Sequence, residues 1–264
     1  MKLIEVHQVG KQYGDNVVLE KLDFSVSAGE FCTMVGTSGC GKTTFLRMLL
    51  GEEQPTQGEI LMDGKPLPAE PGPDRGVVFQ RYSVLPHLTV LGNVMLGPEL
   101  KTGSVFARAF GTRRALIRRE AETLLDAVGL SHALNRYPAE LSGGMQQRLA
   151  IAQALIMKPR ILLLDEPFGA LDPGIRAEMH DLVLRLWRET GVTVFMVTHD
   201  LKEGFSLGTR LLVFDKIRRD VQAPNAYGAT ITYDLQLKLA DRALQKSIAS
   251  EVAQTSQLLA GAIK

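Results

Sequence analysis

The sequence is sparing in several features, and each scarcity removes a class of explanation. Among 264 residues there are two cysteines, Cys32 and Cys40. Two thiols cannot build a disulfide framework or a four-thiolate metal site, so both are expected to stay reduced in the cytosol. An excess of one charge is also missing: 30 basic and 29 acidic side chains leave a formal net charge of +1. Binding along a phosphate backbone ordinarily leaves a clear basic surplus, so no nucleic-acid partner is expected. The local basic cluster "RRALIRRE" at 113–120 reads as the solvated face of a helix. No run approaches the roughly 20 apolar residues of a membrane-spanning helix. The stretch "MKLIEVHQVGKQYGD" has no apolar secretory core. The expectation is a soluble chain, and any membrane role would have to come through a partner. There are no internal repeats and no low-complexity tract.

What is present is a set of short apolar runs that end in polar residues. "FCTMVG" (31–36) runs into a glycine-rich loop, "GVVFQ" (76–80) ends at Gln80, "ILLLDE" (161–166) at Asp165 and Glu166, and "VTVFMVTH" (192–199) at Thr198 and His199. Continuous rather than alternating hydrophobicity predicts strands buried on both faces, hence a parallel sheet covered by helices. Ligands sit at the carboxyl ends of such strands. Residues 1–30 and 57–68 read as short strands and turns, an antiparallel subsheet. Residues 84–158 carry helical patterns and read as a helical subdomain inserted into an α/β domain spanning 1–216. "RLLVFD" is a further strand. In the extension 217–264, "ATITYDLQLK" alternates like a strand, and the remainder reads as a helix that could pack on the core or on a partner.

The loop "GTSGCGKTT" at 36–44 fits G-x-x-x-x-G-K-[ST] without deviation. Its glycines let main-chain N–H groups point at phosphate oxygens, and the helix beginning near Lys42 adds its positive end. Lys42 should contact the β- and γ-phosphates, and the Thr43 hydroxyl should bind Mg²⁺. The loop alone does not separate kinase, GTPase and ATPase. Asp165 suits the role of holding Mg²⁺, and Glu166 that of a base facing the γ-phosphate; an acidic pair can also be a solvated strand end. Gln80 could bind Mg²⁺ or a water through its amide oxygen, and His199 could contact the γ-phosphate. His7, His87, His132 and His180 are read as structural. A second helix start, "LSGGMQQRLA" at 141–150, has Ser142 as a cap, with Gly143 and Gly144 allowing close approach of a phosphate oxygen. With no lysine it could hold a γ-phosphate but hardly a whole nucleotide; a plain capped helix remains the other reading.

At this point the order of motifs resembles the ATP-binding-cassette ATPases. "LSGGMQQR" resembles their signature. An aromatic near the start (Tyr13), the phosphate loop, Gln80, the signature, "ILLLDE", "GALD" at 169–172 and His199 follow the family's order across about residues 1–215. The resemblance implies a P-loop NTPase (RecA-like) α/β core with an antiparallel β subdomain and an inserted α-helical subdomain. It implies two cassettes paired head to tail, Ser142, Gly143, Gly144 and Gln146 of one closing on ATP held by Gly36, Thr37, Ser38, Gly39, Cys40, Gly41, Lys42, Thr43 and Thr44 of the other. Tyr13 would stack on adenine, Glu166 act as general base, His199 sense the γ-phosphate, and Asp172 make contact across the dimer; the residues after Gln80, "RYSVLPHLTV", would face permease subunits.

"PGPDRGVVFQ", "LPHLTVLGNV" and "LDEPFGALDP" are similar to the ATPases of nitrate, sulfonate and taurine importers. That implies an importer of a small polar or anionic solute, at the cytoplasmic face of the inner membrane, served by a periplasmic or extracellular solute-binding protein. Two features depart from the family: Gln153 stands where arginine is usual, and residues after 216 lack an Arg-Pro-Gly-rich strand. Two other readings fit the sequence less well. A cassette acting on nucleic acid or the ribosome usually carries two cassettes or a coiled-coil insertion, and a kinase leaves "LSGGMQQ" unexplained.

Overall fold

A computed structural model describes residues 2–79, 84–101, 111–218, 220, 222–223 and 225–237. In chain order its elements are β1 (Lys2–Tyr13), β2 (Asn16–Ser27), β3 (Phe31–Gly36), α1 (Lys42–Leu50), β4 (Gln57–Met62), β5 (Lys65–Pro66), β6 (Arg75–Val78), α2 (Val90–Lys101), α3 (Thr112–Ala127), α4 (Gly143–Leu155), β7 (Ile161–Asp165), α5 (Pro173–Thr190), β8 (Thr193–Val197), α6 (Leu201–Leu207), β9 (Arg210–Asp215) and β10 (Thr230–Gln236). Two single 3₁₀ turns precede α4. The chain forms two compact units, Met1–Pro71 with Thr193–Lys264, and Gly72–Val192.

In the first unit, β2, β1, β4 and β5 form an antiparallel sheet in that order. Leu22, Phe24 and Val26 of β2 are buried while Lys21 and Asp23 are exposed. That period of two is what a sheet with one wet face requires. The second sheet places β3 parallel to both β8 and β9, with β10 antiparallel along β9. Here β3 and β8 are buried at nearly every position, as the unbroken apolar runs predict for a parallel core. Phe45 of α1 joins the layers: its ring lies 5.6 Å from Phe24 and 6.1 Å from Phe214.

In the second unit, β6 and β7 run parallel, with Gly76 opposite Leu162 and Val78 opposite Leu164. The helical pattern of 84–158 resolves into α2, α3 and α4. Asn93, fully buried in α2, donates to the carbonyls of Leu85, Leu88 and Thr89 and accepts from Leu85 N–H at 2.7 Å. One carboxamide thereby satisfies the turn that starts the helix, which an apolar residue of equal size would leave with unpaired groups. Within "ATITYDLQLK", Thr230–Gln236 form β10, a strand as expected. The helix expected beyond it, in 238–264, lies outside the described residues. No helix among the described residues is long and apolar enough to cross a membrane.

Candidate nucleotide site

The phosphate loop is shaped by close packing as well as by backbone freedom. Gly36 closes β3 with φ +152°, and a Cβ there would lie 2.2 Å from the Phe214 carbonyl oxygen. Gly41, at φ +87°, would press a Cβ to 2.6 Å from the Leu19 side chain. Both positions therefore admit only glycine. Helix α1 opens directly after Gly41 with no side-chain cap and no acid in its first turn. A start left in that state favours an anion. Lys42 is buried, and its Nζ donates to the carbonyls of Gly36 (2.8 Å) and Thr37 (2.9 Å), 3.4 Å from Cys40 Sγ. The lysine thus arches over its own loop. Thr37, Ser38 and Gly39 are exposed at the rim, and Thr43 and Thr44 are half-buried on the first turn.

His199 follows β8 in a turn fixed by its neighbours. Buried Thr198 donates from Oγ1 to Glu203 Oε2 at 2.7 Å and from its N–H to Met34 O, while Asp200 caps α6 by accepting from Lys202 N–H. The imidazole itself is exposed. A cavity of about 260 Å³ brings His199 together with Gly36, Thr37 and Ser38, and with Thr232 and Tyr233 of β10. Tyr13 ends β1 and is 45% exposed. Its hydroxyl donates to Glu53, and Lys11 stands over the ring. Partial burial, then the Glu53 carboxylate, pushes the Tyr13 phenol up. Burial pulls Glu53 upward, but bonds from Tyr13 and Lys11 and the charges of Lys11 and Arg47 outweigh it and hold the carboxyl below its ordinary range.

In the second unit, Asp165 ends β7 and Glu166 follows it at φ +46°. A left-handed conformation is costly for glutamate and is held only where the surroundings fix it. Asp172 occupies the N-cap position of α5 and is exposed, yet its side chain makes no cap bond. Ser142 caps α4, its Oγ accepting from Met145 N–H at 3.4 Å. Gly143 is exposed beside it. Gly144 has a packing reason for its identity that the motif does not reveal: a Cβ there would sit 2.8 Å from Ile175 of α5. Gln146 turns away from the helix start and donates to the carbonyls of Pro138 (2.9 Å) and Leu141 (3.4 Å), bracing the preceding turn. Gln80 and residues 81–83 of "RYSVLPHLTV" lie outside the described residues.

Among the described residues no three His, Cys, Asp or Glu side chains gather as a metal cage. The Mg²⁺ donors expected from sequence are a hydroxyl, a carboxylate and a carboxamide, all oxygens. That set suits a hard cation that takes its other ligands from phosphate and water. Missed by the sequence reading were Glu53 and Lys11 around Tyr13, the Thr198–Asp200 turn behind His199, and Thr232 and Tyr233. For β10 the alternation gave the element; nothing local gave its place beside the loop.

Residues 19–169 match the family described as ABC transporter. The aliphatic sulfonates import ATP-binding protein of Escherichia coli strain K12 is 40% identical over 247 residues, 91% of each chain. The nitrate import ATP-binding protein of Synechococcus elongatus is 44% identical over 213 residues, 79% of this chain and 31% of that one. The dimeric structure of a bacterial ABC transporter cassette superposes with a TM-score of 0.72 at 30% identity, covering 89% of this chain and 99% of that one. The glycine-bound loop, the uncapped α1 and the serine-capped α4 thus lie in a chain matched along almost its whole length, and it belongs to the ABC transporter family as one of its ATP-binding, ATP-hydrolysing cassettes.

Proposed function

We propose that this cassette drives import of a small polar or anionic solute, of the sulfonate or nitrate kind, through permease subunits fed by a solute-binding protein. It would work peripherally at the cytoplasmic face of the membrane. The support for the solute class is the 40% identity to the sulfonate import protein across 91% of both chains. Residues 1–216 form the ATPase domain in this reading and 217–264 its extension. Two copies pair head to tail. The loop of one copy grips the triphosphate, and Ser142 and Gly143 of the other cap it.

The observation that carries the chemistry is the uncapped start of α1 beneath a loop that only glycine can form. Lys42 exchanges its two loop carbonyls for phosphate oxygens, which suit an ammonium better because they carry charge. Thr43, Asp165 and Gln80 would hold Mg²⁺, which would supply positive charge against the phosphates. Glu166 takes a proton from the attacking water. His199 donates to the γ-phosphate. Asp172 reaches the partner copy with the carboxylate it does not use as a cap.

The test is Glu166→Gln, which keeps size and loses the base. ATP binding should be retained, turnover should fall by about 10²–10⁴-fold, and the ATP-bound protein should elute as a dimer. Undiminished turnover would remove Glu166 from its role.

A further inference from the structure

Tyr13 is more than an exposed aromatic at the end of β1. Its hydroxyl donates to Glu53 Oε2. Lys11 Nζ stands 4.9 Å from the ring centroid, 3.2 Å from the same Oε2, and donates to Gln54 O at 2.8 Å. On the carboxylate's other side, Arg47 Nη1 approaches Oε1 at 3.7 Å. One carboxylate therefore holds a phenol, an ammonium and a guanidinium.

Glu53 is itself anchored. It follows the Gly51 turn that ends α1, and its N–H donates to Arg47 O at 3.3 Å. Helix α1 begins at Lys42 beside the phosphate loop and ends in the turn just before Glu53, so it ties the loop to the carboxylate that holds the Tyr13 ring of β1. Its side chain is only 18% exposed, and bonds that involve a charge are the stronger kind. A ring free to rotate would lose that freedom when a base stacked on it; a ring fixed beforehand loses less and binds more tightly.

We infer that Glu53 is a positioning residue for the nucleobase. It sets the Tyr13 ring, with Lys11 over it, at a fixed distance from the phosphate loop. This rests on the reading of Tyr13 as the adenine platform. The consequence is selective: Glu53 contributes to holding a nucleotide but not to holding its phosphates.

Isothermal titration of the full chain with ATP, and separately with inorganic tripolyphosphate, which has no base, separates the possibilities. Glu53→Ala should weaken ATP binding about tenfold, part of what base–aromatic stacking is worth. Tripolyphosphate should bind within about twofold of the unaltered protein, because Lys42 and the loop are intact. Tyr13→Phe, which keeps the ring and drops the hydroxyl, and Glu53→Gln, which keeps shape and drops the charge, should each weaken ATP by about threefold. Equal loss of ATP and tripolyphosphate in Glu53→Ala would mean damage to α1 and overturn the inference. So would a neutral Glu53→Ala alongside a Tyr13→Ala that weakens ATP; the adenine platform would then survive without its positioner. A Tyr13→Ala with unchanged ATP affinity would overturn the platform, and this inference with it.

Discussion

Gly36 has no room for a methyl group. The nearest atom is the Phe214 carbonyl oxygen of β9, a backbone atom held in the sheet, at 2.2 Å from an ideal Cβ. A flexible side chain could step aside; this oxygen cannot without breaking the β3–β9 ladder. Gly36→Ala should therefore cost about 2–4 kcal/mol, seen as a lower urea midpoint with unchanged slope, and should weaken ATP binding as well. An alanine variant as stable as the parent would mean that the loop relaxes freely. Residues of this kind were legible in the sequence, because a phosphate cradle demands glycine, lysine and a hydroxyl at fixed spacing. Glu53 was not. Its role depends on a contact with Tyr13 forty positions away, and nothing in "GEEQPT" distinguishes it from the neighbouring Glu52. Glu166 was legible as a carboxylate at a strand end, but its left-handed backbone is visible only in three dimensions.

Among the elements, β10 shows how a weak edge strand is held. Only one neighbour, β9, offers it a hydrogen-bonded ladder in the described sheet. The ladder is pinned by Arg210, 7% exposed, whose Nε and Nη2 meet the two oxygens of Asp234 at 2.7 and 2.6 Å. Glu30 adds a second carboxylate at 3.3 Å. The paired carboxylates push the already high pKa of Arg210 further up, against the opposing effect of burial. Asp234→Asn removes one charge and leaves Glu30 as partner. The expected loss is about 1–2 kcal/mol, below the figure for a fully buried pair because Asp234 is partly in water. Chemical unfolding would register it, and protection of β10 amides from hydrogen exchange should fall before that of β3. Equal protection in both would show that β10 does not open separately. The strands of the core were readable because burial on both faces leaves an unbroken apolar run. The position of β10 beside His199 and Ser38 was not, since alternation fixes a strand's faces but not its neighbours.

At the scale of the whole molecule, head-to-tail pairing has a consequence that no single copy could produce. Each nucleotide would be held by Lys42 from one copy and by the Ser142 turn from the other, so damage to the two motifs should be separable between chains. Lys42→Ala alone abolishes binding at both loops of a homodimer, and Ser142→Arg alone fills both capping turns; each should be inactive. Mixed in equal amounts, half of the dimers are hybrids. In a hybrid the sound loop of the Ser142→Arg copy faces the sound turn of the Lys42→Ala copy, while the other site is damaged twice. One site in two, in half of the dimers, predicts recovery to about a quarter of the parent's ATPase rate if the two sites fire independently, and less if they are coupled. A copy that assembled its site from its own two motifs would show no recovery at any mixing ratio. Ser142 caps α4 and Gly144 makes room for Ile175, which a plain capped helix would also require, so recovery in the hybrid is what separates such a helix from a turn that serves another chain's nucleotide.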